Sequence, residues 1–252
     1  MKQSPNALTG TLTTITLLCA ALTASMALIS ALSSPKSALP TDGGVGLDAG
    51  NISSAVTVVI DAGHGGEDGG TQSATGMYEK EVNLEIARML DIMLRAGGVH
   101  TVMTRTEDVL LYDRNVDYHG RKKVLDLAER RRIAEETEHA VFVSIHMNSF
   151  PEERYQGLQV FYSPNDTASQ ALAELIQKSA KEYLQPQNER KIKKATSAIY
   201  LLDRLQCPAV LVECGFLSNP QEAELLSQEE YRKALAFTLF CSVMSYISSQ
   251  NA

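Results

Sequence analysis

Tryptophan is absent from the chain, and aromatic residues make up only 6% of it. The four cysteines, Cys19, Cys207, Cys214 and Cys241, form no framework of close spacings. Cys19 falls in an N-terminal leader. Cys207 and Cys214 flank one expected strand and would stand about 23 Å apart along it, too far for a disulfide. The fold must therefore stand on its core and on any metal it holds. Positive charge is also scarce: 23 Lys and Arg face 30 Asp and Glu, a net charge of −7. No global field draws such a protein to nucleic acid or anionic lipid, and no nucleic-acid partner is expected. Internal repeats are missing too, which excludes solenoids and propellers.

What is present begins with a targeting segment. Lys2 precedes a largely apolar stretch, Leu8 to Leu32, that carries no charge. As a signal peptide over residues 1–34 it has a weak n-region, a long h-region and small residues around Ala31-Leu32-Ser33. As an uncleaved anchor it is long enough to span a bilayer. Both readings deliver the rest of the chain outside the cytoplasm, either secreted or held at the outer face of the membrane. Leu17-Leu18 ahead of Cys19 lacks the small residue that a bacterial lipoprotein signal needs. Residues 35–54 are rich in Ser, Pro, Gly and Ala and read as a flexible linker. Residues 55–249 remain, about 200 residues, enough for one domain with a full core.

That domain alternates strand and helix patterns. Val56 to Ile60, His100 to Thr104, Ala140 to Ile145, Leu158 to Tyr162, Ile199 to Leu202 and Ala209 to Val212 read as strands, several of them continuous apolar runs of the kind buried on both faces. Glu79 to Leu94 carries a helical stripe (Val82, Ile86, Met89, Leu90, Met93) closed by Gly97-Gly98. Arg121 to Glu136 is a charged helix with Val124, Leu127 and Ile133 as its apolar positions. Asp166 suits the N-cap of a helix to Leu184, Pro220 the first turn of a short one, and Glu229 to Ile247 a long closing helix. This alternation predicts a single α/β domain with a mostly parallel or mixed central sheet and helices on both faces.

Three of the apolar runs end at or near residues able to bind or work a metal. One leads into His64, one into His146, and one into Glu213; Glu79 opens the first helix. Residues at the carboxyl ends of strands in open α/β sheets line the ligand crevice, so two imidazoles and two carboxylates can converge there. That set suits zinc with an open coordination position. Taken singly, each residue has a plainer explanation. A histidine after a strand is more often structural, and Glu79 at a helix start answers the helix dipole. Glu213 is harder to explain away, because a carboxylate ending Ala209-Val-Leu-Val is costly to bury unless it is paired, bound to metal or working as a base. The glycines around His64 fit neither the dinucleotide fingerprint nor the P-loop. His100, His119 and His139 lack that setting of a strand end beside small residues and read as surface or packing residues. Arg190, Lys191, Lys193 and Lys194 form a basic run that is either a solvated loop or a groove wall facing an anionic ligand.

Five ordered blocks carry a resemblance. Val59 through Gly70 around His64, Glu79-Lys-Glu-Val-Asn-Leu, Met103-Thr-Arg-Thr-Glu-Asp, Val143-Ser-Ile-His146-Met-Asn-Ser and Leu211-Val-Glu213-Cys-Gly-Phe-Leu-Ser-Asn-Pro resemble the zinc-dependent N-acetylmuramoyl-L-alanine amidases of bacterial cell walls. The resemblance spans Val56 to Ile247. Within that family the layout is most similar to the spore-cortex, germination-specific branch. It implies one Zn²⁺ per chain, held by His64, Glu79 and His146, with Glu213 as the catalytic glutamate. Asp61 and Asn148 become candidates for orienting ligands, although Asp61 has the simpler role of ordering its loop. Arg190 and Lys193 become candidates for binding a muramoyl-peptide substrate in peptidoglycan. A cortex role would place the enzyme upstream of a deacetylase that makes muramic-δ-lactam, and it leaves room for a membrane tether and an activating protein. The competing functions are a different extracytoplasmic zinc peptidase or deacetylase, and a catalytically idle wall-binding regulator. An intact Glu213 argues against the last.

Overall fold

The β-branched residues Val58, Val59 and Ile60 have no exposed surface, and they form the middle of β1 (Thr57–Ala62). Around it a computed structural model describes residues 56–113, 115 and 118–250. The expected leader and linker, residues 1–54, lie outside the described residues. β1 pairs in parallel with β2 (His100–Met103) on one side and β3 (Ala140–Asn148) on the other. β3 pairs in parallel with β6 (Ala209–Phe216). β4 (Gln159–Tyr162) lies antiparallel against β6, and the two-residue β5 (Lys193–Lys194) closes the edge. The order is β2-β1-β3-β6-β4-β5, a mixed sheet whose parallel part has its carboxyl ends together.

The helices are α1 (Glu79–Ala96), α2 (Lys122–Glu136), α3 (Ala168–Tyr183), α4 (Tyr200–Arg204), α5 (Pro220–Ser227) and α6 (Glu229–Gln250). The two-residue period of the strands divides them between two cores. Val58, Ile60, Val143, Ile145, Val210 and Val212 pack against α1, α3 and α6. Val59, Phe142 and Ala209 face the other way, toward Ala134 of α2 and Leu201 and Leu202 of α4. Asp61, Ser144, His146 and Glu213 share the parity of that second, smaller face. Among the described residues no helix is long and apolar enough to cross a membrane. Cys207, Cys214 and Cys241 are free thiols.

Several elements differ from their sequence patterns. Ile199 to Leu202 is no strand: residues 200–204 form α4, because Leu201, Leu202 and Leu205 fall on one helical face and all three are buried. A short apolar run cannot by itself separate the two periods. The basic run supplies the edge strand instead, with Lys193 and Lys194 exposed along it, a common guard against edge-to-edge pairing. Asp166 accepts from Ala168 N at 2.8 Å, although the residue flanking α3 is Thr167. In α2 the expected apolar position Val124 is 60% exposed, and the buried residues are Asp126, Arg130 and Ala134.

Polar residues turn inward on α2 because an ion-pair network waits there. Arg130 is 1% exposed. Its Nη1 donates to Asp61 Oδ1 at 2.7 Å and its Nε to Asp126 Oδ2 at 2.8 Å. Asp61 also accepts from Thr104 Oγ1 (2.8 Å) and Ser144 Oγ (2.6 Å). Burial pushes the Asp61 carboxyl up, but Arg130 and the Ser144 hydroxyl outweigh it and hold the group below its usual 3.8. A depressed folded value means that this stabilisation is complete above the usual carboxylate range and is lost as pH falls through it. Arg130→Met strands two buried carboxylates and should cost about 3–5 kcal/mol, read as a lowered urea midpoint near neutral pH. The gap to wild type should narrow below about pH 4. Equal midpoints at neutral pH would refute the structural role assigned to this network.

Candidate metal centre

His64 follows β1 on a backbone turned left-handed, with φ 62°. Three carbonyls hold that turn in place. Arg105 donates to Ala62 O (2.8 Å) and Gly63 O (3.0 Å), and Arg130 donates to Ala62 O and His64 O, both at 2.7 Å. Arg105 also donates to Lys80 O at 2.7 Å, so the same side chain ties the His64 turn to the start of α1. Glu79, the first residue of α1, is 3% exposed. Its Oε2 accepts from Thr71 N at 2.9 Å, and its Oε1 from Met147 N at 3.1 Å and Asn83 Nδ2 at 3.3 Å.

The two imidazoles close on that same carboxylate. His64 Nε2 lies 3.2 Å and His146 Nδ1 2.8 Å from Glu79 Oε1. The rings meet edge to face, 5.0 Å between centroids. On its far side, His64 Nδ1 is 3.0 Å from Asp68 Oδ2. Burial raises the Glu79 carboxyl, but His146 and His64 overcome it and hold the group well below the usual range. Burial works to lower His64, yet Asp68 and Glu79 carry it up to about 9. The cluster is thus a set of lone pairs held together by protons, which a cation can replace.

One donor atom from each of His64, Glu79 and His146 lies within 4.8 Å of the other two. Two imidazole nitrogens and a carboxylate oxygen form the donor set of a divalent metal that keeps a position open. The fourth expected residue sits beside them: His146 and Glu213 are register partners on neighbouring strands. Glu213 Oε2 is buried and without a hydrogen-bond partner, and burial pushes its carboxyl up to about 7. His64, His146 and Glu213 line a cleft of about 260 Å³ whose floor includes Phe142 and Leu211 and whose wall includes Tyr200.

Residues 58–243 match the N-acetylmuramoyl-L-alanine amidase family. The germination-specific N-acetylmuramoyl-L-alanine amidase of Bacillus subtilis is 32% identical over 193 residues, 77% of this chain and 80% of that protein. The CwlD amidase from Clostridioides difficile, solved in complex with the GerS lipoprotein, aligns with a TM-score of 0.73 and 35% identity over 77% of this chain and 98% of its own. An N-acetylmuramoyl-L-alanine amidase from Clostridium difficile 630 aligns with a TM-score of 0.69 and 32% identity, covering 79% and 100%. The chain belongs to this amidase family.

The other residues singled out in the sequence are not donors in this cluster, although Asp61 lines the same cleft. Asp61 bonds to Arg130, Thr104 and Ser144, and Arg130 in turn donates to His64 O. Asn148 turns its side chain onto Ser149 N at 2.8 Å. Lys193 is on the exposed edge strand, its Nζ 5.8 Å from the centroid of the Phe161 ring. Arg190 packs over Phe216, 4.5 Å from the ring centroid. Asp68, Asn83, Arg105 and Arg130 went unnoticed as contributors to the site. Arg105 and Asp68 belong to the recognisable blocks, whereas Arg130 was hidden inside an ordinary charged helix.

Glycine at 63 is required by space. A Cβ there would stand 2.3 Å from two atoms of the His146 ring, and no real contact is that short. Gly63→Ala should therefore displace His146 and weaken metal binding by about the 10–100-fold seen when a ligand's support is lost. His64→Ala and His146→Ala should abolish stoichiometric metal and lower the melting temperature modestly, since metal stabilises only the folded state. Elemental analysis of the three purified variants checks this; one metal per chain in both histidine variants would refute the ligand assignment.

Proposed function

We propose that the chain hydrolyses the amide between the lactyl group of N-acetylmuramic acid and L-alanine in peptidoglycan, with one zinc ion per chain held by His64, Glu79 and His146. The observation that carries this reading is Glu213, whose buried Oε2 has no hydrogen-bond partner, beside a two-histidine, one-glutamate cluster. When bound, zinc supplies a Lewis acid that acidifies water to a pKa of about 7 and polarises a carbonyl. Glu213 serves as the base. Its free Oε2 accepts a proton from the attacking water and aims that water at the lactyl carbonyl. It then returns the proton to the departing alanine nitrogen, so that one carboxylate and one amine are formed. The Glu79 carboxylate, fixed by Thr71 N and Met147 N, keeps its lone pairs on the metal side. Arg105 and Arg130 keep His64 in its left-handed turn. The apolar floor of the cleft limits bulk water around the reacting carbonyl.

The same reading places the domain, residues 55–249, outside the cytoplasm, delivered by residues 1–34 through a linker at 35–54. The germination-specific name of the Bacillus subtilis relative supports a role in spore cortex maturation, upstream of a muramic-lactam-forming deacetylase. The lipoprotein bound to the Clostridioides difficile relative supports an accessory protein of that kind.

Glu213→Gln keeps the shape and removes the base. Its zinc content and fold should survive while turnover falls by about 10²–10⁴-fold. Mass spectrometry of purified peptidoglycan should detect free stem peptides beginning with L-alanine from wild type and almost none from the variant. Near wild-type cleavage by Glu213→Gln would place the base elsewhere, and loss of zinc together with activity would make Glu213 a ligand. A fusion of residues 1–54 to a reporter active only outside the cytoplasm should give signal. A silent, cytoplasmic fusion would refute the proposed location.

A further inference from the structure

The basic run read from the sequence does not act as a unit in the fold. Lys191, Lys193 and Lys194 are exposed, whereas Arg190 is partly buried. Arg190 is held on three sides. Its Nε donates to Gln156 O at 2.6 Å and its Nη1 to Gln159 Oε1 at 3.1 Å. Its guanidinium lies 4.5 Å from the centroid of the Phe216 ring and 6.0 Å from that of Tyr155. Phe150, 46% exposed, extends this aromatic wall, its ring 4.6 Å edge-on to Tyr155.

This fixed cation has no ion-pair partner among the described residues. The nearby carboxylate, Glu222, spends both oxygens on backbone, accepting from Gly157 N at 2.9 Å and Phe216 N at 2.8 Å. A guanidinium has five N–H donors, and the protein engages one on Nε and one on Nη1. The rest, including both on Nη2, form a fork that suits a carboxylate.

Register ties the fork to the reaction centre. Gln159 on β4 lies directly opposite Glu213 on β6 in the antiparallel pair, so both side chains project from the same face of the sheet. His146, Glu213 and Gln159 form a row across three strands, and Arg190 is one hydrogen bond beyond its end. Strands are about 4.8 Å apart and the hydrogen bond from Gln159 adds 3.1 Å, which puts Arg190 about 8 Å along this row from the proposed base. In an extended stem peptide, the residue after L-alanine presents its free α-carboxylate about 7 Å, two residue lengths, from the scissile bond.

We propose that Arg190 is a specificity-determining residue for this reaction, binding the free α-carboxylate of the stem-peptide residue that follows L-alanine. The assignment rests on the amidase reading above. The test compares two purified muropeptides that differ only in that group, carboxylate or carboxamide, with wild type, Arg190→Gln, Arg190→Lys and Lys193→Gln. Wild type should favour the carboxylate by about 10–100-fold in kcat/KM, the range of a hydrogen-bonded charge pair. In Arg190→Gln the preference should collapse through a raised KM for the carboxylate substrate, with kcat largely retained. Arg190→Lys should recover part of it, and Lys193→Gln should keep it. Cleavage without discrimination by wild type would overturn the proposal and leave the amidase reading standing. So would an equal loss on both substrates in Arg190→Gln, which marks a purely structural role, or a preference that follows Lys193. Wild type that cleaves neither substrate would overturn both.

Discussion

Two buried arginines on the carbonyl oxygens at the end of β1 are the constraint on which the rest of this site depends. Arg105 and Arg130 between them occupy Ala62 O, Gly63 O and His64 O. Without those donors Ala62 O and His64 O would be left unpaired, each costing about 1–3 kcal/mol, and Gly63 O would keep only Asn83 Nδ2 at 3.1 Å. Burial and the neighbouring Arg130 charge lower Arg105 to about 10, which still leaves it a cation at neutral pH. Asp61 and Asp126 make the arrangement tolerable by supplying two carboxylates to two guanidiniums. This explains why α2 turns a polar face to the sheet and leaves Val124 in water.

Through that turn, stability and chemistry are joined. His64 can hold φ 62° because its carbonyl is pinned and its neighbours are glycines. Arg105 spans from Gly63 to Lys80, so it ties together His64 and Glu79, two members of the cluster that the chain places fifteen residues apart. Glu79 is then fixed by backbone N–H groups from two other segments, and its two imidazole partners arrive from the turn after β1 and from β3. The centre is a junction of four segments, and none can shift alone without breaking a buried hydrogen bond. Glu213 is the exception: its buried Oε2 has no hydrogen-bond partner, the kind of perturbed carboxylate that marks a candidate site.

The aromatic wall around Arg190 shows a second way to hold a charge. Here the cation is stacked, oriented by the Gln156 backbone and Gln159 side-chain oxygens, and without an ion-pair partner among the described residues. A buried ion pair stiffens a fold, whereas an oriented but unneutralised charge invites a ligand. Asp61 with Arg130 and Arg190 over Phe216 illustrate the two outcomes on opposite sides of the same strand ends.

The sequence by itself determined the period-two apolar strands and the α1 stripe with its Gly97-Gly98 stop. It also marked His64, Glu79, His146 and Glu213, because these signals are local: burial on both faces writes continuous apolar runs, and a carboxylate at the end of one is conspicuous. The tertiary structure alone decided what local pattern leaves open. Ile199 to Leu202 became helix α4 because Leu205, beyond the run, completes a buried face. Asp126 and Arg130 turned inward because Asp61, some 65 residues upstream in sequence, waits there. Arg190 parted from its neighbouring lysines because β4 runs antiparallel to β6 and brings Gln159 opposite Glu213. The last two depend on a partner distant in sequence, and the free energy of burying a charge is set by that partner and not by the residues on either side.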